Sequence, residues 1–363
     1  MNMTLEAETE ALTGGTPPDA GLSLGWTNTL VPEQAVPVTF SEEERRSYLA
    51  RFGWRSNSYF GLQEGTDYFD VRGVGFIAYF RQRRLWGEVP IVFTRPICAS
   101  ADLERLLRLF LDHQGKRAVF VGVDEEVAGV LRRLGFTTNV CSTEFDIPLK
   151  GFDLKGKDKR YLRHARNGCE RIVDVRELTC AETDTKAVME LSTAWRRSKA
   201  VKDRELRLTT RPPEYVDRWG VRRFYAFIEG ALVGFVFFDP FFRHGRIIGY
   251  TANILRSKPG LRPHGVLDYV LLTAIEKFRT EGLETLSLGQ SPLYGIAPCE
   301  GESTFLRRCA TLIYQRGGRF YAAQELGFHK ALYRAREEKA YLAKRGLGDL
   351  ATAWLLIRAT NTV

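Results

Sequence analysis

The 363-residue sequence predicts an α/β fold with α+β mixed sheets, arranged as two successive lobes. Three observations carry that expectation. Short strand-like runs alternate with amphipathic helical stretches, the alternation restarts near residue 150, and no run approaches the roughly 20 apolar residues of a spanning helix. With 44% hydrophobic and 27% charged residues the chain has the composition of a globular protein, which excludes disorder as its main state.

Residues 1–37 are rich in Gly, Pro, Thr and Glu without a sustained period, and read as a disordered acidic arm. Ser41 followed by Glu42, Glu43 and Glu44 is a helix start, a Ser cap with acids in the first turn. Tyr68–Val71, Gly75–Phe80 and Pro90–Phe93 read as strands. Over Asp102–His113, Leu103, Leu106, Leu107, Phe110 and Leu111 share one helical face. Arg117–Val123 is a buried strand, Glu125–Leu134 a helix closed by Gly135, and Phe145–Pro148 ends an N-terminal lobe over 38–149.

A second, catalytic lobe over 150–345 repeats the alternation on a larger scale. It opens with a basic helix, Lys155–Arg171, a strand at Asp174–Glu177 and a helix over Glu182–Arg197. Arg223–Glu229 and Leu232–Asp239 pair as a hairpin across Gly230-Ala231. Arg246–Leu255 is a strand, Gly265–Thr280 an amphipathic helix and Thr285–Leu288 another strand. Tyr321–Lys344 is expected to be one or two helices, and 346–363 a tail or a further helix. Hairpin, strand, loop, helix and strand in that order form the core of the acetyltransferase fold, so two tandem GNAT-like lobes are expected.

Charge is placed unevenly. Residues 1–44 hold eight acids and no Lys or Arg; against a net +9 for the chain, residues 45–363 therefore carry +17. A body so basic attracts a polyanion such as RNA, or an anionic membrane surface. Eight basic residues crowd Lys155–Arg176 against Asp158, Glu170 and Asp174. Arg160, Arg163 and Asn167, at i, i+3 and i+7, share a helical face able to follow a phosphate backbone, with Lys155, Lys159 and Arg166 beside them. A solvated basic surface without a partner explains the same run. Arg196 and Arg197 follow Trp195, which is either a stacking platform or a core residue.

The six cysteines, at 98, 141, 169, 180, 299 and 309, form no CxxC pair, and none of the five histidines stands at metal-ligand spacing to one. Buried thiols and no metal are expected. Met1–Thr13 lacks a basic start and an apolar run, so no secretory signal is read and a cytoplasmic protein is expected.

Thr285-Leu-Ser-Leu-Gly-Gln-Ser-Pro-Leu-Tyr-Gly295 is a strand that runs into Gly289 and is then broken by Pro292 and Gly295. Strand ends of this kind leave backbone amides for a polar ligand. The segment resembles the S-L-G-x-A/S-P-L-x-G element of the C-terminal catalytic domain of aminoacyl-phosphatidylglycerol (lysylphosphatidylglycerol) synthases. Further matches follow that family's order. Asn253-Ile-Leu-Arg256 resembles its D-L-M-R strand and Pro263-His-Gly-Val-Leu-Asp-Tyr269 its P-x-G-x-M-D-F helix start. Arg319-Phe-Tyr321, Leu326, Lys330 and Tyr333 resemble its R-F-Y…L-x-x-F-K-x-K-F run, and Tyr341-Leu342 its terminal Y-L. Upstream, Lys155-Gly156, Arg160, Arg163 and Asn167 resemble its K-G…R-x-x-R…N helix.

The resemblance implies an aminoacyltransferase that takes an amino acid from aminoacyl-tRNA, with that tRNA as co-substrate and no cofactor. The charged tRNA is already an activated ester, so positioning supplies most of the rate. Arg256 and Lys330 are then candidates for charge stabilisation, Tyr250 and Tyr341 for carrying the proton, and Asp268 for orienting the acceptor. Asn253, Ser287, Gly289, Ser291 and His329 become candidate substrate contacts. Lys155, Lys159, Arg160, Arg163, Arg166, Arg196 and Arg197 become the candidate tRNA surface.

Departures from the family's pattern narrow the expectation. Asn253 stands for its Asp, Leu332 for a basic residue and His329 for an aromatic. Losing a carboxylate at 253 disfavours a cationic lysyl group and favours a small or neutral one such as Ser, Ala or Gly. The expected acceptor is a small soluble amine, hydroxylamine or hydroxyl, as in specialised-metabolite (antibiotic) biosynthesis. The alternatives are a phospholipid reached through transient membrane-surface contact, acyl-CoA chemistry, and an RNA-binding protein without catalysis. Arg262-Pro-His-Gly265-Val-Leu267 supplies half of the coenzyme-binding Q/R-x-x-G-x-G/A loop and lacks its final small residue.

Overall fold

Ser41 sets the first helix. Its side chain accepts a hydrogen bond from the Glu44 amide while Glu44 accepts one from the Ser41 amide, a reciprocal cap that starts α1 (Glu42–Phe52). The computed structural model describes residues 37–84, 87–115, 117–199, 204–316 and 323–361. The expected acidic arm, up to residue 36, and Arg319-Phe-Tyr321 lie outside them.

β1 (Pro37–Val38) precedes that helix, and after it the chain forms β2 (Asp67–Val71), β3 (Gly75–Arg84), β4 (Gly87–Val92), β5 (Ile97–Cys98), α2 (Leu103–Gln114), β6 (Ala118–Val123), α3 (Glu125–Arg133) and β7 (Thr137–Pro148). A second series follows: α4 (Arg160–Cys169), β8 (Asp174–Glu177), α5 (Thr185–Arg197), β9 (Arg222–Ile228), β10 (Ala231–Arg243), β11 (Arg246–Ser257), α6 (Val266–Thr280) and β12 (Thr285–Pro292). The chain continues with α7 (Thr304–Arg316), α8 (Ala323–Ala331), β13 (Arg336–Arg345) and α9 (Asp349–Ala359).

The described strands make one sheet in the order β1-β2-β3-β4-β6-β13-β7-β12-β11-β10-β9-β8, with β5 on β3. Two of its pairings are parallel, β4 with β6 and β11 with β12. Each follows an antiparallel run and a helical crossover, so the two halves share one plan. They also exchange their last strands. β7, which ends the first half, pairs with β12, while β13, which ends the second, pairs with β6.

The exchange corrects the helices expected up to Lys344. Residues 336–345, Arg-Glu-Glu-Lys-Ala-Tyr-Leu-Ala-Lys-Arg, have the composition of a helix, but both flanking strands need a central partner, and the tertiary demand overrides local propensity. The β9–β10 turn is also shifted by one residue. Ala231 pairs with Ile228, so Glu229 (φ 49°) and Gly230 (φ 79°) form the two-residue loop.

Alternation along β10 separates two cores. Val236 and Phe238 pack toward α4 and α6 with Leu271, Ile275 and Phe278. Phe235 and Phe237 pack toward Val188 and Leu191 of α5. Each fully buried Leu, Ile or Phe in these layers stabilises the fold by about 1.5–3 kcal/mol. The first half has its own core, which Leu355 of α9 joins, so of the tail or helix expected at the C-terminal end the structure has a packed helix.

Candidate functional site at the parallel strand fork

β11 and β12 pair only at Gly249 with Thr285, Tyr250 with Leu286 and Thr251 with Ser287. β11 runs on to Ser257 and β12 to Pro292 without each other, so the two strands part as a fork. On its other side β12 bulges: Ser287 faces Asp146 and the next paired residue, Gln290, faces Glu144. The bulge falls at Gly289, whose φ of 70° lies in the left-handed region that glycine tolerates. A cavity opens against this bend, lined by Gly289, Gln290, Ser56, Asn57, Thr209 and Gly122 among others.

Gln290 fixes that wall. Its side-chain amide donates to Gly122 O at 2.9 Å and its side-chain oxygen accepts from Ser142 at 3.0 Å. The backbone oxygen of Gln290 accepts a hydrogen bond of 2.9 Å from Lys330 Nζ on α8. Burial pushes the Lys330 ammonium down to about 7, partly offset by the charge of Glu144. Glu144 is itself buried. Desolvation raises its carboxyl while Arg55 holds it down, and Ser56 and Arg55 both donate to it. Ser291 Oγ, also buried, has no partner among the described residues. Ser287 Oγ accepts from the Gly289 amide at 3.1 Å and shapes the bend.

Beside Lys330 lies a second cluster. Asp268, in the first turn of α6 and 4% exposed, accepts from Tyr333 at 2.6 Å and Tyr161 at 3.3 Å, and pairs with His329 Nε2 at 2.9 Å. Its carboxylate raises the pKa of His329, chiefly through that hydrogen bond. A coenzyme pyrophosphate would need this helix start. Here the start carries the Asp268 carboxylate, and α4 closes over it: a Cβ on Gly265 would meet Ala165 Cβ at 2.6 Å. The half-matched coenzyme loop is thus filled from within.

The remaining candidates lie elsewhere. Arg256 faces α5, not α8. It makes a bidentate pair with Glu205 at 2.6 and 2.9 Å and donates to Ser192. Asn253 clamps one residue in both directions, accepting from the Arg211 amide at 3.0 Å and donating to Arg211 O at 2.8 Å. Tyr250 is a core residue stacked on Phe278 at 4.8 Å between ring centres. Tyr341 sits in β13 opposite Val123 and Val140, beside Glu125. Sequence reasoning put these four in one transfer site; the sheet's two faces and the exchanged strand separate them.

The basic candidates divide in the same way. Lys155, Arg160 and Arg166 are exposed on α4 and the loop before it. Lys159 and Arg163 are turned onto that loop, donating to Asp153 O at 2.7 Å and to Gly156 O at 2.6 Å. Arg196 pairs with Glu205 at 3.2 Å, and Arg197 ends α5 on the opposite sheet face.

Sequence reasoning missed Arg55, Ser56, Asn57, Glu144 and Gln290. The available signal was Ser142, Glu144 and Asp146, three polar residues on one face of a strand that also carries a buried apolar face.

A tandem acetyltransferase-like fold with a desolvated lysine at its second parallel fork defines a class of acyl-group transferase scaffold. Within that class the chain belongs to the family described as "Phosphatidylglycerol lysyltransferase, C-terminal", which it matches over residues 46–344. It is 23% identical over 323 residues to a phosphatidylglycerol lysyltransferase of Bacillus subtilis strain 168, covering 87% of this chain and 36% of that protein. The chain thus spans little more than a third of the length of the curated relatives it matches. Among solved structures it is similar to the C-terminal domain of a putative lysylphosphatidylglycerol synthetase from Agrobacterium fabrum, with a TM-score of 0.70 and 19% identity. That likeness covers 88% of this chain and 97% of the other. L-PGS from Bacillus licheniformis is similar at a TM-score of 0.70 and 18% identity, over 88% and 95% of the two chains. No helix among the described residues is long and apolar enough to cross a membrane.

Proposed function

We propose that the chain moves an aminoacyl group from aminoacyl-tRNA to a hydroxyl of an anionic phospholipid headgroup, at the fork between β11 and β12. The observation that carries this reading is Lys330, a lysine brought down to about 7 by burial at the broken edge of β12. Its hydrogen bond to Gln290 O uses an N–H and leaves the lone pair of the neutral amine for a proton.

The transfer balances without a cofactor. The acceptor oxygen attacks the ester carbonyl and forms the new C–O bond. The bond from that carbon to the ribose oxygen breaks, and the proton lost by the acceptor passes through Lys330 Nζ to the ribose oxygen. Ser291, with an unpartnered buried hydroxyl on the same strand, is the donor available to the oxyanion. Asp268, held by Tyr333, Tyr161 and His329, takes the positive α-amino group of the donor. The exposed bases of α4 (Arg160, Arg166) and Lys155 take tRNA phosphates.

Asn253 stands where the family pattern has an Asp and is committed to Arg211 by two hydrogen bonds, so that position offers no free carboxylate for a lysyl group; a small neutral aminoacyl group is the better fit. The lipid acceptor is favoured over a small soluble one by the relatives' described substrate and by an apolar, basic face on α7.

The test is to mix the pure chain with individually charged tRNAs and phosphatidylglycerol vesicles, then follow label from tRNA into lipid. A neutral amino acid appearing in the lipid fraction is expected. Discharge only into water-soluble amines would replace the acceptor, and no discharge of any charged tRNA would overturn the reading.

A further inference from the structure

Ten large apolar side chains are exposed among the described residues, and six of them lie on α7, α8 and α9: Phe305, Leu312, Ile313, Phe328, Leu350 and Trp354. These helices touch one another, α7 contacting both α8 and α9. On α7, Phe305, Arg308, Leu312, Ile313 and Arg316 fall at i, i+3, i+7, i+8 and i+11, so they occupy one exposed stripe of that helix. α7 contains no acidic residue. Leu350, Trp354 and Arg358 repeat the pattern on α9 at four-residue spacing.

We propose that the exposed stripe of α7 docks the protein onto an anionic lipid surface and so brings the lipid to α8, the helix that carries Lys330 and His329. The inference rests on the transfer reading for its purpose but not for its test. Apolar side chains interleaved with arginines and free of acids fit a boundary where acyl chains meet negative headgroups. Leu312 and Ile313 offer no ring on which a base could stack, which sets this stripe apart from a single-stranded RNA platform. The partner is therefore a bilayer carrying negative charge.

The experiment sediments the full chain with vesicles of phosphatidylcholine alone and of phosphatidylcholine mixed with phosphatidylglycerol, without tRNA. The wild type should bind the mixed vesicles, and less so as salt rises. The triple variant Phe305→Ser/Leu312→Ser/Ile313→Ser should bind them about tenfold more weakly or worse, since it removes the apolar side chains that would enter the acyl region. Its thermal midpoint and its discharge of free aminoacyl-tRNA should match the wild type, because all three side chains are about half exposed already. No wild-type binding to the mixed vesicles overturns the proposal. So does a variant that binds vesicles like the wild type, one that loses tRNA binding instead, or one that merely dissociates a wild-type dimer. If vesicle binding behaves as expected while no charged tRNA is discharged, the docking face stands and the transfer reading falls.

Discussion

Between β4 and β6 the strands part after Val92 and Phe120, and Asn57 fills the gap by donating to Phe93 O and Gly122 O. Between β11 and β12 they part after Thr251 and Ser287, and Lys330 reaches the edge of the gap instead. Both forks arise because a helical crossover returns a parallel strand that diverges past its last pair. At the first stands a neutral amide whose hydrogen bonds end on the protein, on the wall of the cavity that also reaches Gly289 and Gln290. At the second stands an ionisable group whose charged form the surroundings disfavour. The shared plan of the two halves makes two comparable openings, and the side chains set at them differ in chemistry.

A parallel contrast separates the two faces of the second fork. On the α5 face, Arg256 and Asn253 are satisfied by Glu205, Ser192 and Arg211, so they hold the 204–211 segment to β11. On the α6 and α8 face, Lys330 and Ser291 keep unused capacity. Polar groups whose hydrogen bonds are complete stabilise; those left incomplete in a buried place are free to act.

The largest effect is expected from Lys330→Ala, which should lower the transfer rate by about 100-fold or more while leaving tRNA affinity within a few-fold. Asn253→Asp comes next. It replaces a donor by a buried carboxylate facing Arg211 O and should destabilise the fold by about 3 kcal/mol, read from the denaturant midpoint. Asn57→Ala strips the side-chain donor from Phe93 O, while Gly122 O keeps its bond from Gln290, and should cost about 1 kcal/mol, with the pH dependence of transfer unchanged. If it abolished transfer without loss of stability, the first fork would be more than a plug.

The smallest effect is His329→Phe, which replaces the imidazole by a ring that cannot pair with Asp268. The pair with Asp268 raises the folded-state pKa of His329, so its stabilisation is complete below the ordinary histidine value near 6.5 and is lost as pH rises through the folded-state pKa. The imidazole is 42% exposed, so solvent screens the pair and the loss should stay under about 1 kcal/mol. It should appear at pH 6 and vanish at pH 9.

Much of the fold was legible because it rests on local signals. The Ser41–Glu44 cap, the apolar stripe of α2 and the Gly before α6 each act within a few residues. β13 was not, since its strand state comes from β6 and β7, each about 200 residues away in sequence, rather than from its own helix-like residues. Lys330 was legible through family pattern, and Gly289 through both pattern and turn chemistry. Glu144 was not: an acid in a strand reads as a solvent-facing position until residues 55–57 fold over it. Tyr250 and Arg256 show the opposite limit, because sequence order places both near the fork and cannot say which face they take.

The central claim is that Lys330 works as a neutral amine at the second fork. Its most direct test is the single-turnover discharge of aminoacyl-tRNA into phosphatidylglycerol vesicles as a function of pH, with uncatalysed hydrolysis subtracted. The wild-type rate should climb as pH passes through about 7 and then level off, as Lys330 loses its proton. Lys330→Arg, cationic throughout, should lose both that limb and about 100-fold in rate. A Lys330→Arg protein that kept the wild-type rate and pH profile would contradict the account.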